Sequence, residues 1–321
     1  MEKKIVAIDA GTSNVRIRIT EGGVVIARAK SKAGVKIGKK AFAEQLYALL
    51  TETLSENRVD KNDIEGIFAS GMITSPLGLA EVPHEPLPVS AETLARRLRQ
   101  FSFGEFALTL IPGVKKAKDE LKFRGLNLID VIRGEETEII GVMAETGLRE
   151  PALLILPGSH NKFVEASGGE ILDFTTTLSG ELLEALTKHT ILEASVDGAF
   201  AEALDPDFLR TGLEAGRRYG INRGAFMLRG LDLREKLTLT RKQNFLLGLV
   251  LSGDLDVLAK NYYAEQYRNL FVVGGGILAK GLYTLISGYY PKNVVRLLDS
   301  DEFSVKGVLE IAGRLRETHV L

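Results

Sequence analysis

Apolar and polar positions along the chain fall into short periods that predict a series of elements. Residues 4–9 (KIVAID) are an apolar run closed by an acid just before Gly11, the pattern of a strand entering a tight turn. Residues 15–20 (VRIRIT) alternate, as a half-buried strand does; Gly22-Gly23 signals a hairpin, and residues 24–29 (VVIARA) give a third strand. The chain therefore opens as an antiparallel meander and not as a βαβ unit, which disfavours a dinucleotide-binding reading. Further strands are predicted over 64–70, 106–111, 152–156, 162–166, 170–175, 270–273 and 294–298. Helical spacing predicts helices over 41–55, 91–100, 134–146, 179–192 with Ser179 as N-cap, 196–220, 241–264, 277–287 and 303–317. Residues 76–90 hold Pro76, Pro83, Pro86 and Pro88 and read as an extended loop.

The pattern repeats. KIVAIDAGTSNVRIRI, a Gly pair and VVIARA can be set beside ALLILPGSHNKFVEA, a Gly pair and EILDFT. Gly11 then falls on Gly158, Thr12 on Ser159 and Asn14 on Asn161, and the first Gly precedes the Gly pair by 11 residues in one copy and 10 in the other. We read an internal duplication of a strand-turn-strand unit whose first turn carries a Gly and a hydroxyl. Two lobes are expected, 1–145 and 146–321, with the final helix 303–317 able to pack back.

Length and composition narrow the picture. At 321 residues the chain exceeds one small core. Its 41 Lys+Arg against 42 Asp+Glu give a formal net charge of -1, which argues against broad nucleic-acid binding but leaves room for a local anion site. The absence of Cys excludes disulfides, thiol nucleophiles and Cys-ligated metals, and the four His (His84, His160, His189, His319) lack metal-ligand spacing. No stretch approaches the roughly 18 apolar residues of a membrane span, and Asp9 interrupts the first apolar run before it could serve as a signal segment. A soluble, cytoplasmic protein without nucleic-acid or membrane partners is expected, with homo-oligomerisation left open.

Three turns could do chemistry: Asp9-Ala10-Gly11-Thr12-Ser13-Asn14, Pro157-Gly158-Ser159-His160-Asn161 and Gly274-Gly275-Gly276-Ile277. A Gly-rich turn after a strand exposes successive backbone N–H groups that form an anion nest. The third feeds a helix N-terminus, which favours an anion by ~0.3–1 kcal/mol. One such turn is ordinary; three, two of them duplicated, point to a nucleoside triphosphate between lobes. Two readings of Asp9 stand: a carboxylate meeting Mg²⁺ on the phosphates, or a turn-capping Asp. P-loop and protein-kinase motifs are absent. In Asp130-Val-Ile-Arg133-Gly134-Glu135-Glu136, Glu135 is either the group that accepts an alcohol proton in phosphoryl transfer or a carboxylate that complements a helix N-terminus. His160 either bonds phosphate or substrate or braces its hairpin; Lys162 either contacts phosphate or lies on a solvated face.

IDAGT at 8–12, LPGSHNKF at 156–163 and FVVGGGILAKGL at 271–282 resemble the three nucleotide-binding segments of the actin, sugar-kinase and heat-shock-chaperone superfamily. SGMITS at 70–75, EVPHEPLPV at 81–89, IPGVK at 111–115, DVIRGEETEIIG at 130–141, TTLSGELLEALTKHTIL at 176–192 and GAFMLR at 224–229 make the chain similar to the 2-dehydro-3-deoxygalactonokinase family within it. The resemblance implies an α/β, two-lobe actin-like ATPase (ribonuclease H-like) fold, with duplicated mixed sheets flanked by helices and a cleft between lobes. It implies ATP- and Mg²⁺-dependent phosphorylation of the 6-hydroxyl of 2-dehydro-3-deoxy-D-galactonate, in galactonate degradation. Alternatives on the same scaffold are a kinase for another sugar acid or sugar, or a non-catalytic nucleotide-binding regulator. By position, Asp9 resembles the metal-associated catalytic acid and Glu135 the base. Gly11, Thr12, Ser13 and Asn14, Gly158, Ser159 and His160, and Gly274, Gly275 and Gly276 resemble the phosphate and adenosine segments. Gly71, Met72, Arg16 and Arg133 are placed at the sugar acid. The chain departs from the family pattern at Ala10 and at Pro76, Leu77 and Leu79.

Overall fold

The computed structural model of the protein describes residues 3–116 and 129–319. Two units divide it: Met1–Arg149 with Ser167–Asp173 and Glu302–Leu321, and Glu150–Ala166 with Phe174–Asp301. The first unit opens with β1 (Lys4–Ala10), β2 (Val15–Glu21) and β3 (Val24–Ser31), an antiparallel meander whose second turn uses Gly22 and Gly23 at positive φ. Helix α1 (Lys39–Glu56) buries Phe42, Leu46, Leu50 and Leu54, one residue per turn of the helix, in the core shared with Val6, Ile8, Ile17 and Ile19. Complete burial of such side chains contributes roughly 1.5–3 kcal/mol each.

Strand β4 (Ile64–Gly71) lies parallel to β1. The short strands β5 (Glu85–Pro86) and β6 (Val89–Ser90) precede α2 (Ala91–Ala95), β7 (Arg99–Phe103) and β8 (Phe106–Leu110). The sheet order is β3-β2-β1-β4-β8-β7. The helix expected over 91–100 is only five residues long, because residues 99–103 are drawn into a hairpin that turns at Gly104 (φ 60°) and pairs Phe103 with Phe106. Strand β9 (Val114–Lys115) pairs with β5 and with β10 (Val131–Ile132), which leads into α3 (Glu135–Thr146).

In the second unit β11 (Ala152–Leu156) pairs antiparallel with β12 (Asn161–Ser167), and β13 (Glu170–Thr177) follows. Glu170 and Ile171, which fall in the first unit, pair with β6. Then come α4 (Ser179–Lys188), α5 (Glu193–Val196), α6 (Pro206–Arg234), α7 (Leu239–Lys260), β14 (Asn269–Val273), α8 (Ile277–Tyr289) and β15 (Val294–Leu298). Strand β14 is parallel to both β11 and β15. The connectivity thus repeats that of the first unit: β11, β12, β14 and β15 correspond to β1, β2, β4 and β8. The helix expected over 196–220 begins at Pro206, where Asp205 caps the Phe208 N–H, and runs on to Arg234 through a kink at Gly220. Ser179 is not the N-cap of α4; Leu178 holds that position and the Ser179 hydroxyl serves elsewhere.

Helix α9 (Phe303–His319) packs on α3 within the first unit. The approach is so close that a Cβ at Gly141 would lie 1.8 Å from the Phe303 carbonyl oxygen, and one at Gly307 1.8 Å from that of Thr137. Two facing glycines let the backbones touch at the helix that carries Glu135. Gly141→Ala is therefore expected to destabilise the protein by about 1–3 kcal/mol, read as a lower urea midpoint at unchanged slope. An unchanged midpoint would contradict the packing.

Candidate active site

The carboxyl ends of β1 and β4 and the start of α3 converge in the first unit. Asp9 and Ala10 lie in register with Ser70 and Gly71 of the neighbouring parallel strand. Gly71 has φ 86°, and a Cβ there would sit 2.6 Å from the Ala10 carbonyl oxygen. Gly134, the N-cap of α3 with φ 111°, is packed so that a Cβ would meet the Gly71 Cα at 3.2 Å and Asp9 Oδ1 at 4.0 Å. The two glycines allow the backbone approach that brings the Asp9 carboxylate to the residue after Gly134, Glu135.

The carboxylates feel one another. Asp9 is held above the usual carboxylate range, first by loss of water around it and also by the Glu135 charge, against the pull of Arg16 and Arg18. Although 28% of the Asp9 side chain is exposed, its carboxyl is well enclosed by protein for desolvation to dominate. Arg16 stands opposite Asp9 in the strand register and donates from Nη1 to Oδ2 at 3.1 Å. The Arg133 N–H donates to Glu135 Oε2 at 3.0 Å, and the Gly134 N–H to Glu136 Oε2 at 2.6 Å. Glu136 is fully buried, and its Oε1 has no partner among the described residues. Burial, reinforced by Glu135, pushes its carboxyl up to about 8. Glu136 was not singled out from the sequence, yet it shares a helical stripe with Ile139, Ile140 and Met143, all buried.

The Arg133 guanidinium lies in the field of Glu136 but gives its hydrogen bonds to the loop that follows β4. Its Nη1 donates to the Thr74 carbonyl at 2.6 Å and to the Thr74 hydroxyl, and its Nη2 to the Val82 carbonyl at 3.2 Å, with the His84 ring beside it. The guanidinium therefore shapes the 72–84 loop that begins at Met72. Desolvation, then the charges of Arg133 and Lys115, lower the His84 ring to about 4 and keep it neutral near pH 7.

Each duplicated turn is closed by its own glycine. The Gly11 N–H donates to the Asn14 carbonyl at 2.8 Å; the Gly158 N–H donates to the Asn161 side-chain Oδ1 at 2.9 Å. The following N–H groups, of Thr12 and Ser13 and of Ser159 and His160, have no protein partner among the described residues. The first turn is backed by Val35 and Lys36, which donate to the Gly11 and Thr12 carbonyls. In the second, His160 Nε2 lies 3.1 Å from Glu181 Oε1, and Lys162, a buried residue, donates to the His160 carbonyl at 3.0 Å. At the third turn Gly274 (φ 124°) donates its N–H to the Leu298 carbonyl, and the Asp299 carboxylate lies where a Cβ on Gly275 would go, leaving Gly276 as N-cap of α8.

The family model described as 2-keto-3-deoxy-galactonokinase matches residues 9–311. The chain belongs to that family. A 2-dehydro-3-deoxygalactonokinase of Escherichia coli (strain K12) is 29% identical over 286 residues, covering 87% of this chain and 88% of the relative. A crystal structure from Sinorhizobium meliloti, described as a candidate 2-dehydro-3-deoxygalactonokinase, is similar at TM-score 0.78 with 24% identity, over 99% of this chain and 97% of that one. The activator of the 2-hydroxyisocaproyl-CoA dehydratase from Clostridium difficile, with bound ADPNP, is similar at TM-score 0.53 with 12% identity, over 100% and 98%. With the repeated sheet connectivity, these likenesses make the fold that of the actin-like ATPases and sugar kinases. Membership of the family makes the chain a kinase, a transferase of carbohydrate metabolism. No helix among the described residues is long and apolar enough to cross a membrane.

Magnesium fits the donors present. Among the described residues no group of three His, Asp or Glu gathers as a metal cage. Mg²⁺ needs none, because it keeps waters and takes one or two carboxylates together with phosphate oxygens. Asp9, poorly hydrated and with a second carboxylate in its field, has the chemistry for that part.

The Glu136 carboxyl makes stability depend on pH in this kinase. Its folded pKa, about 8, lies above the ordinary 4.5, so the folded state holds the proton more tightly and stability falls as pH rises through that interval. Urea melts of Glu136→Gln, which keeps a neutral side chain of the same shape, are expected to show a shallower decline between roughly pH 6 and 8 than the parent. An equally steep decline would show that Glu136 is not the group responsible.

Proposed function

We propose that this chain transfers the γ-phosphoryl group of ATP to the 6-hydroxyl of 2-dehydro-3-deoxy-D-galactonate, giving the 6-phosphate and ADP. The observation that carries the reading is the convergence of Asp9 and Glu135 at the Gly71–Gly134 contact, in a chain that the kinase family model matches from residue 9 to 311. Glu135 takes the proton of the 6-hydroxyl as that oxygen attacks the γ-phosphorus. The bond from phosphorus to the bridging oxygen of ADP breaks, and ADP leaves with that electron pair.

The N–H groups of Thr12 and Ser13, and of Ser159 and His160, which meet no protein acceptor among the described residues, are the candidate donors for phosphate oxygens. Asp9 is the residue that would hold Mg²⁺, which when bound offsets phosphate charge. The Gly274–Gly276 turn is the candidate for the nucleoside; the C. difficile activator, of like fold, binds ADPNP. Arg16, with 45% of its side chain exposed, is the better candidate for the sugar-acid carboxylate, because the Arg133 donors already serve the 72–84 loop.

General-base catalysis is worth roughly 10²–10⁴-fold, or about 3–5 kcal/mol. Glu135→Gln is therefore expected to lower kcat by that factor with little change in either KM and an unaltered circular dichroism spectrum. The assay is coupled ADP release over epimeric 2-keto-3-deoxy aldonates, with gluconate and glycerol as controls. Near-parental kcat in the folded variant would refute the base assignment.

A further inference from the structure

Asp254, on α7, is completely buried, and three side chains from three different segments donate to it. The Thr177 hydroxyl, at the end of β13, donates to Oδ1 at 2.6 Å; the Ser179 hydroxyl, at the start of α4, donates to Oδ1 at 2.8 Å; Asn161 Nδ2, at the start of β12, donates to Oδ2 at 2.8 Å. An isolated carboxylate out of water is costly, and among the described residues this one is offset by the three hydrogen bonds and no ion pair. Burial raises it to about 6 against the lowering effect of those three donors, so the charged form predominates near pH 7.

Asn161, also completely buried, is the link that matters. A carboxylate only accepts, so the amide must present Nδ2 to Asp254. Its other end, Oδ1, is thereby aimed at the Gly158 N–H, which donates to it at 2.9 Å. The equivalent turn of the first unit closes on the Asn14 backbone carbonyl, which needs no such orientation. Behind the second turn, α4 leaves no slack: a Cβ on Gly180 would lie 2.0 Å from the Gly158 carbonyl oxygen, and the Glu181 N–H donates to the Ser159 carbonyl at 3.0 Å.

We infer that Asp254 is a positioning residue for nucleotide binding: by fixing the Asn161 amide it holds the Gly158 turn in the shape that turns the Ser159 and His160 N–H groups to phosphate. Being wholly buried, Asp254 does not touch the nucleotide itself; it acts on the turn through the Asn161 amide and, by way of Ser179, through the start of α4. The inference rests on the reading of this turn as a phosphate site.

The link has a polarity that a pair of substitutions can reverse. Asp254→Asn keeps the shape but replaces a charged acceptor by one amide. With its oxygen on the two hydroxyls its nitrogen faces the Asn161 nitrogen; with its oxygen on Asn161 its nitrogen faces Thr177 and Ser179, whose hydroxyls must turn from donors to acceptors. In either setting the charge-assisted hold on the Asn161 amide is lost. Adding Asn161→Asp restores the chain, since the new carboxylate accepts from both sides. ADP affinity of the full chain is read by titration calorimetry, with KM for the sugar acid measured separately. Asp254→Asn is expected to weaken ADP at least about tenfold, with sugar-acid KM within about twofold, and the double variant to return within about threefold of the parent. If Asp254→Asn does not fold, Asn161→Ala must weaken ADP likewise and the double variant must still bind. Parental ADP affinity in Asp254→Asn, or a double variant no better than the single one, overturns the inference while leaving the kinase reading intact. A parent chain that binds no ADP overturns both.

Discussion

A strand that leaves a sheet and returns within four residues has to find partners for its backbone N–H groups or leave them to something outside the protein. Both duplicated turns solve the first part of this in the same way. The leading glycine, Gly11 or Gly158, gives its N–H to the asparagine three residues on, and the loop closes. Closure fixes the two residues between, Thr12 and Ser13 or Ser159 and His160, with N–H groups that meet no protein acceptor among the described residues. Such groups require a partner, either water or a ligand rich in acceptors, and phosphate is the ligand best matched to consecutive backbone donors. The candidate chemistry of each unit depends on that closure.

The carboxylates add the second half of the chemistry. Two glycines, Gly71 and Gly134, bring the end of β4 and the start of α3 close enough that Asp9 and Glu135 share an electrostatic environment. Charge of one sign is concentrated there and Arg16 compensates it only in part, a situation suited to a bound cation and an arriving hydroxyl. Glu136 is turned the other way, into the core, where it caps Gly134 and keeps a proton at neutral pH. Adjacent acids on one helix turn thus serve different ends because Glu135, half-buried, acts on Asp9, while Glu136 is fully buried on the same stripe as Ile139 and Ile140.

Much of this was legible in the sequence where the period is short. The meander, its repeat at residues 152–177, and the correspondence of Gly11 with Gly158 and Asn14 with Asn161 follow from alternation and glycine spacing. What the pattern missed depends on partners far along the chain. Residues 99–103 become a strand because they pair with β8. Ser179 leaves the capping position because Asp254, 75 residues on, takes its hydroxyl. Arg133 resembles a substrate ligand until Thr74 and Val82 are seen to accept its donors. A signal did exist for Glu136 and Asp254: each interrupts an otherwise apolar helical face, Asp254 between Val250, Leu251 and Leu258.

The open amides are the most direct point of attack. In amide-resolved NMR spectra of the full chain, a magnesium-loaded, non-hydrolysable ATP analogue should move the N–H resonances of Thr12, Ser13, Ser159 and His160 strongly, while those of Gly11 and Gly158, already hydrogen-bonded within the protein, shift less. Saturable binding of the analogue with the four resonances unmoved would contradict the account.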